Sequence, residues 1–389
     1  MKVLFVTRGW PTKDNPMSGN YEAVQAKALA KRGIDVTVVS LYKKSMLHLF
    51  DSRSINGYEE NGITVISKTL VVFEIPGLTR TKFNRFDLWL GQRAFNRLYR
   101  YYRKIKGDAD LIHAHIIHNA YHCKKVLDKY HLPLIITEHW SKMNATVLGN
   151  NLLRLGVGYR WADKVICVSD ELSDSLMKKF GKKCVVINNM VSDVFFEGDN
   201  TSTKFPHVDM VHFVSVGTIE KRKGFDLTIK ALAKAKCRNR CRLEIVGSGP
   251  EEDNLRKLIE QYGLNEHVFL VGRKKPEDVN QLIAASDCFI LTSRLETFGI
   301  VYIEAMAKGK PVIATVCGGP EGFVNDSNGI LIPSEDVDAA SKAIDSMVEN
   351  INRYDNASIR QYCHDNFSEE AISQKIISVY KEVLEQHKK

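Results

Sequence analysis

A chain of 389 residues, 44% of them hydrophobic, is too long for one ordinary core and too apolar for a disordered protein, so two globular domains are expected. No run approaches the ~20 apolar residues that cross a bilayer, and the eight cysteines contain no C-x-x-C pair, which argues against a disulfide frame or a zinc knot. A net charge of +9 favours an anionic partner: nucleic acid, an acidic membrane face or a phosphorylated small molecule.

The opening MKVLFVTRGW has too short an apolar run for a secretion signal and reads as a first strand, so the chain is expected in the cytosol. Short β-branched runs at 3–7, 35–40, 64–67, 111–113, 134–137, 164–168 and 185–187 predict strands. Helical periodicity at 21–31, 118–130 and 170–180 predicts helices between them. The polar stretch EGDNTSTKFPH, 197–207, interrupts the alternation. It then restarts with strands predicted at 211–216, 242–246, 268–271, 288–291 and 311–314, and helices at 225–236, 251–262, 277–285, 300–308 and 336–348. The expectation is an α/β chain of two doubly wound domains that binds ligands outside the C-terminal ends of its strands.

Between the strand at 288–291 and the helix at 300–308 the chain crosses from sheet to helix with Glu296 on the way. The first amides of that helix are unpaired and suit an anion, and Gly299 permits close backbone approach. Glu304 falls about one turn into the helix, among Ile300, Val301, Ile303 and Met306, where a lone carboxylate is costly unless it accepts hydrogen bonds. A vicinal diol supplies two donors at a suitable spacing. Phosphate at the helix start and ribose one turn on read together as a sugar nucleotide; a solvent-facing Glu304 on an ordinary helix is the competing reading.

The segment ETFGIVYIEAMAKGKPVIAT from Glu296, followed by GGPE at 318–321, closely resembles the E-x7-E region of the retaining glycosyltransferases of family 4. VGTIEKRKGFDLTIKAL from Val216, LEIVGSGPEEDNLRKL from Leu243, ADKVICVSDEL from Ala162, VINNMVSDVFF from Val186 and DLIHAH from Asp110 extend the resemblance over nearly the whole chain. It implies a GT-B fold: Rossmann-like domains at 1–195 (acceptor side) and 196–366 (donor side) facing across a cleft, with a C-terminal helix, 367–389, packing back onto the first.

The resemblance puts the donor's ribose on Glu304 and the donor sugar beside Glu296 and the amides of Phe298 and Gly299. The diphosphate is implied to meet Lys223, covered by Gly19 of the loop at 8–20, and Gly272 and Arg273 border the base. Thr218 stands where many members carry arginine, with Arg222 expected to compensate. His115 is implied to face the donor sugar, which makes His115, Lys223 and Glu296 the catalytic set, with Glu138 and His139 on the acceptor side. A zinc site built from His113, His115, His118 and His122 is an alternative, but no carboxylate or cysteine completes it nearby. No metal is expected, because the D-x-D of Asp108 and Asp110 precedes a strand and so lies at the wrong sheet edge, and no cofactor is expected besides the nucleotide-diphosphate sugar, which is the donor substrate.

The implied function is transfer, with retention, of a hexose-type sugar from a UDP-, GDP- or ADP-sugar to a glycan or lipid-linked acceptor in surface polysaccharide or glycolipid synthesis. Residues 80–106 carry nine Lys or Arg against Asp87 alone, interleaved with aromatic residues. Such a segment suits a peripheral contact with an anionic inner membrane face; no nucleic-acid partner is expected. The competing functions are a sugar-nucleotide epimerase of similar shape and a non-enzymatic basic module binding membrane or RNA.

Overall fold

The structure, a computed structural model, describes residues 1–12, 15, 18–44, 55–71, 83–144, 148–198 and 210–388. The chain divides into two compact units, Met1–Met190 with Ile372–Lys389, and Val191–Ala371. The division falls a few residues from the expected 195/196 and 366/367 because Val191 donates its amide to the Phe367 carbonyl and Asp193 donates to Glu369, which holds 191–197 within the second unit. Most of the polar stretch expected to link the domains, 199–207, lies outside the described residues.

The first unit contains strands β1 (Lys2–Thr7), β2 (Asp35–Lys44), β3 (Ile55–Glu60), β4 (Ile63–Val71), β5 (Leu111–His115), β6 (Leu134–Glu138), β7 (Lys164–Cys167) and β8 (Val185–Val186). Its helices are α1 (Asn20–Lys31), α2 (Phe83–Lys106), α3 (Ile117–Tyr130), α4 (Asn150–Gly156) and α5 (Asp170–Phe180). The sheet order is β3-β4-β2-β1-β5-β6-β7-β8, parallel except for β3. β5 and β6 are buried along their whole length, as expected of parallel strands covered on both faces.

In the second unit the strands are β9 (Val211–Val216), β10 (Cys241–Val246), β11 (Val268–Gly272), β12 (Cys288–Leu291), β13 (Val312–Val316) and β14 (Gly329–Pro333). Helices α6 (Phe225–Lys234), α7 (Glu252–Gln261), α8 (Pro276–Ala285), α9 (Ile300–Ala307), α10 (Val337–Asn350) and α11 (Asn356–Phe367) accompany them. The order β11-β10-β9-β12-β13-β14 is all parallel and runs third, second, first, fourth, fifth, sixth, the Rossmann winding. Winding therefore reverses between β9 and β12, and in the first sheet between β1 and β5. These are the points where adjacent connections diverge and leave a crevice.

The last helix, α12 (Glu369–His387), returns to the first unit. Ile372, Ile376, Val379, Tyr380 and Val383 recur at helical spacing and join Val3, Phe5, Leu29 and Ile135 in one buried cluster. Tyr380 also meets His113 Nδ1 at 2.6 Å, while Thr137 meets His113 Nε2 at 2.7 Å, so His113 is a satisfied core histidine. Two strands escape the sequence pattern. β3 is exposed along most of its length and, among the described residues, pairs only with β4, through a turn at Asn61 and Gly62. β14 is a five-residue run ending in Pro333.

Candidate active site

The second unit gathers the predicted donor residues along the C-terminal edge of its sheet. After β9 the chain passes through exposed Thr218, makes a short turn at Lys221–Lys223 and reaches Gly224 at φ 69 before α6 begins. A Cβ on Gly224 would stand 1.8 Å from the Thr292 carbonyl oxygen. Only glycine lets this turn press against the end of β12. Arg294, in the loop just after that strand, fixes the turn: its guanidinium makes paired bonds to Asp226 at 2.7 and 2.9 Å and donates to the Lys221 carbonyl at 2.6 Å.

The turn delivers Lys223 to Glu296 across the point of reversal, with Nζ 2.6 Å from Oε1. The lysine side chain is 13% exposed and the glutamate 7%, so the pair is largely withdrawn from water. Ser293 donates to the same carboxylate oxygen at 2.8 Å, and Arg222 Nη1 lies 3.5 Å from the other. Arg222 is committed further, to Glu220 at 2.6 Å and to the Leu295 carbonyl at 3.0 Å.

Gly299 caps α9 in the left-handed conformation. Phe298 buries its ring against Phe323 and Phe367, so only its backbone faces the site. Among the described residues no acceptor takes the Phe298 or Gly299 amide. One turn on, Glu304 is half-buried and has no hydrogen-bond partner among the described residues. Burial pushes its carboxyl up to about 7, with Lys223 pulling in the other direction. Gly272 ends β11 at the same sheet edge, followed by exposed Arg273. Glu321, quoted in the sequence motif but given no role there, accepts from the amides of Cys317, Gly318 and Gly319 and shapes the loop that packs on Phe298.

In the first unit the C-terminal edge carries histidines. His115 is fully buried, its Nδ1 3.0 Å from Nε2 of half-buried His139 and the two rings stacked at 5.2 Å. Burial holds His139 down to about 4 and His115 well below its ordinary value, so both rings are neutral at physiological pH. Nε2 of His115 is buried without a partner among the described residues.

Glu138 corrects an expectation. Instead of reaching toward an acceptor, its carboxylate turns inward and accepts from the amides of Ile117, His139 and Trp140 and from the Tyr159 hydroxyl at 2.6–3.0 Å. With 0% exposure and four donors it organises the loop that presents His139. Gly19 caps α1 at φ 66, and a Cβ there would lie 2.1 Å from the Gly9 carbonyl oxygen, so packing within this unit already demands glycine. Asp110 accepts from the Lys2 amide at the opposite, N-terminal edge. The histidines do not converge on a metal position, and no group of three potential ligands occurs among the described residues. Sequence reasoning passed over Arg8 and Glu22, joined at 2.8 Å beside this edge. The signal was an arginine directly after the first strand.

Comparison with known proteins follows the same two halves. Residues 20–194 match the family model for Glycosyltransferase Family 4, and residues 204–363 the model for Glycosyl transferases group 1. The N-acetyl-alpha-D-glucosaminyl L-malate synthase of Bacillus anthracis is 29% identical over 301 residues, 73% of this chain and 77% of its own. Sucrose-phosphate synthase from Thermosynechococcus elongatus is similar in structure with a TM-score of 0.78 at 20% identity, covering 99% of this chain and 100% of that one. Anabaena HepE in complex with UDP gives a TM-score of 0.74 at 20% identity, covering 98% and 100%.

Proposed function

This chain belongs to the glycosyltransferases of family 4 and has their GT-B fold of two Rossmann-like units, and on that premise we propose that it transfers a hexose-type sugar, with retention and without a metal ion, from a nucleotide-diphosphate donor. The observation that supports this best is the meeting of Lys223 and Glu296 where the second sheet reverses, next to the unpaired amides of Phe298 and Gly299. Cleavage of the bond between the anomeric carbon and the diphosphate oxygen builds negative charge on the leaving group. Preorganised amides and a cation stabilise that charge at the moment it develops. The acceptor hydroxyl attacks from the same face as the departing diphosphate, which takes the hydroxyl proton, so no protein nucleophile is required. The unpaired Nε2 of neutral His115 suits a sugar hydroxyl better than proton transfer.

UDP leads the donor candidates because the HepE structure holds it. A melting-temperature screen with UDP, GDP and ADP is expected to show stabilisation by one of them, about 2.7 kcal/mol at a hundred times its Kd. Stabilisation by none would remove the reading.

A lipid-linked acceptor is supported by α2. Of the aromatic residues in 80–106, Phe95, Tyr99 and Tyr102 pack into the core, while Phe86 and Trp89 stay 44% and 39% exposed. Phe86, Trp89, Arg93, Arg97, Arg100 and Lys104 follow one another at steps of three or four residues, forming an aromatic-to-basic stripe on one helix face. Arg80 and Lys82 lie outside the described residues. Among the described residues no helix is long and apolar enough to cross a membrane. Co-sedimentation with vesicles containing phosphatidylserine is expected, and to weaken severalfold in a W89A/R97A variant. Equal binding to uncharged vesicles would count against the electrostatic contact.

A further inference from the structure

The second switch point, between β1 and β5 of the first sheet, carries a group the reaction above does not use. Arg8 follows directly on β1, and His115 ends β5 beside it. The Arg8 guanidinium gives its Nε–H to Glu22 Oε1 at 2.8 Å and leaves both Nη groups without a partner among the described residues. Its side chain is 48% exposed, whereas that of Glu22 is 1% exposed. The contrast with other arginines is informative: Arg294 and Arg222 spend their Nη groups on carboxylates and carbonyls, so Arg8 alone of these three has an idle fork. Glu22 mirrors this, since its Oε2 is buried with no hydrogen-bond partner among the described residues. Both charges act on His139, which places the ion pair in the same polar neighbourhood as the two stacked histidines.

A guanidinium with two free Nη groups matches a carboxylate or phosphate. A buried, unpaired carboxylate oxygen needs a donor, and a hydroxyl supplies one. A neutral sugar would leave the fork idle, and a bare anion would leave Glu22 unsatisfied. We infer that Arg8 and Glu22 bind the acceptor, and that the acceptor is a hydroxylated molecule bearing a carboxylate or a phosphate next to its hydroxyl. This rests on the glycosyltransferase reading but names a feature of its acceptor.

Calorimetry on the full chain with L-malate, glycerol 3-phosphate and glucose 6-phosphate, against methyl glucoside as the uncharged control, tests it. At least one anion is expected to bind about tenfold or more tightly than the control, and to lose about tenfold in Arg8→Lys, which keeps the charge but not the fork. Malate and the phosphates separate the two anionic groups. An R8A/E22Q double variant, which leaves no buried charge stranded, is expected to lose the preference while still binding the nucleotide found in the donor screen. Lys223→Ala is expected to keep the anion preference, because the second unit's phosphate site is not involved. No preference in the wild type, or its persistence in the double variant, overturns the inference. So does an Arg8→Lys change that weakens nucleotide binding alone, which would assign Arg8 to the donor. Absence of all nucleotide binding would instead sink the transferase reading.

Discussion

Replacing Lys223 with alanine is expected to lower the turnover number by about 10²–10³-fold while moving the donor KM much less. Lys223 stands 2.6 Å from Glu296 in a pair almost closed to water, where a single positive charge is weakly screened. Its proposed task arises mainly in the transition state, when the diphosphate gains charge, so the loss belongs in turnover rather than in ground-state binding. The same substitution strands Glu296, leaving it with the Ser293 hydroxyl and a more distant Arg222. Removing one partner of a largely buried pair costs stability as well, and a fall in folded fraction can imitate a fall in activity. A K223A/E296Q variant separates the two effects. Its melting temperature should recover toward wild type because no uncompensated carboxylate remains, while its turnover should stay low. Recovery of turnover together with stability would show that Lys223 serves the fold and not the reaction.

The resemblance put both partners of that pair at the donor, but the ion pair between them was not legible in the sequence. Lys223 reads as a residue just ahead of a helix and Glu296 as a residue after a strand, 73 positions apart. What joins them is the sheet order, which sets β9 beside β12 and so brings two strand ends to one crevice. Periodicity within a strand says nothing about which strand lies next to it. The same limit explains Glu138, which looked available because it ends a strand; the Tyr159 hydroxyl that holds it inward comes from another part of the chain. Strand β3 escaped for a different reason. INGYEE has no buried face and is held by backbone pairing to β4, so hydrophobic alternation cannot mark it, although the Asn61-Gly62 turn that follows could have. Arg8 was visible at the end of the first strand, yet only the hydrogen-bond pattern shows that its fork is idle. The alternation of buried strands with helices was read readily in both units, because parallel strands covered on both faces must be apolar along their length.

Donor affinity is expected to fall by about fivefold between roughly pH 7 and pH 6, and Glu304→Gln to abolish that dependence at the cost of a weaker plateau, about 10–100-fold below wild type. Burial raises the Glu304 carboxyl to about 7 in the unliganded protein, with Lys223 acting in the opposite sense. A ribose diol binds as a double donor and therefore selects the ionised form. Below the free-state pKa the proton must first leave, which reduces affinity about fivefold over the first pH unit and about tenfold for each unit after it. The titrant should be a nucleotide sugar, since its doubly esterified diphosphate does not change charge in this range. The unliganded protein should respond with the opposite sign. A carboxyl whose folded pKa exceeds its unfolded value favours folding where it is protonated, and that contribution disappears as the pH rises through about 7. Glu304→Gln should accordingly raise the melting temperature at about pH 8 and change little at about pH 5, where wild-type Glu304 is itself neutral. One carboxylate would then weaken the empty protein and strengthen the loaded one. A wild-type affinity flat across this range, or a glutamine variant with the same slope, would assign the pH response elsewhere and detach Glu304 from the ribose.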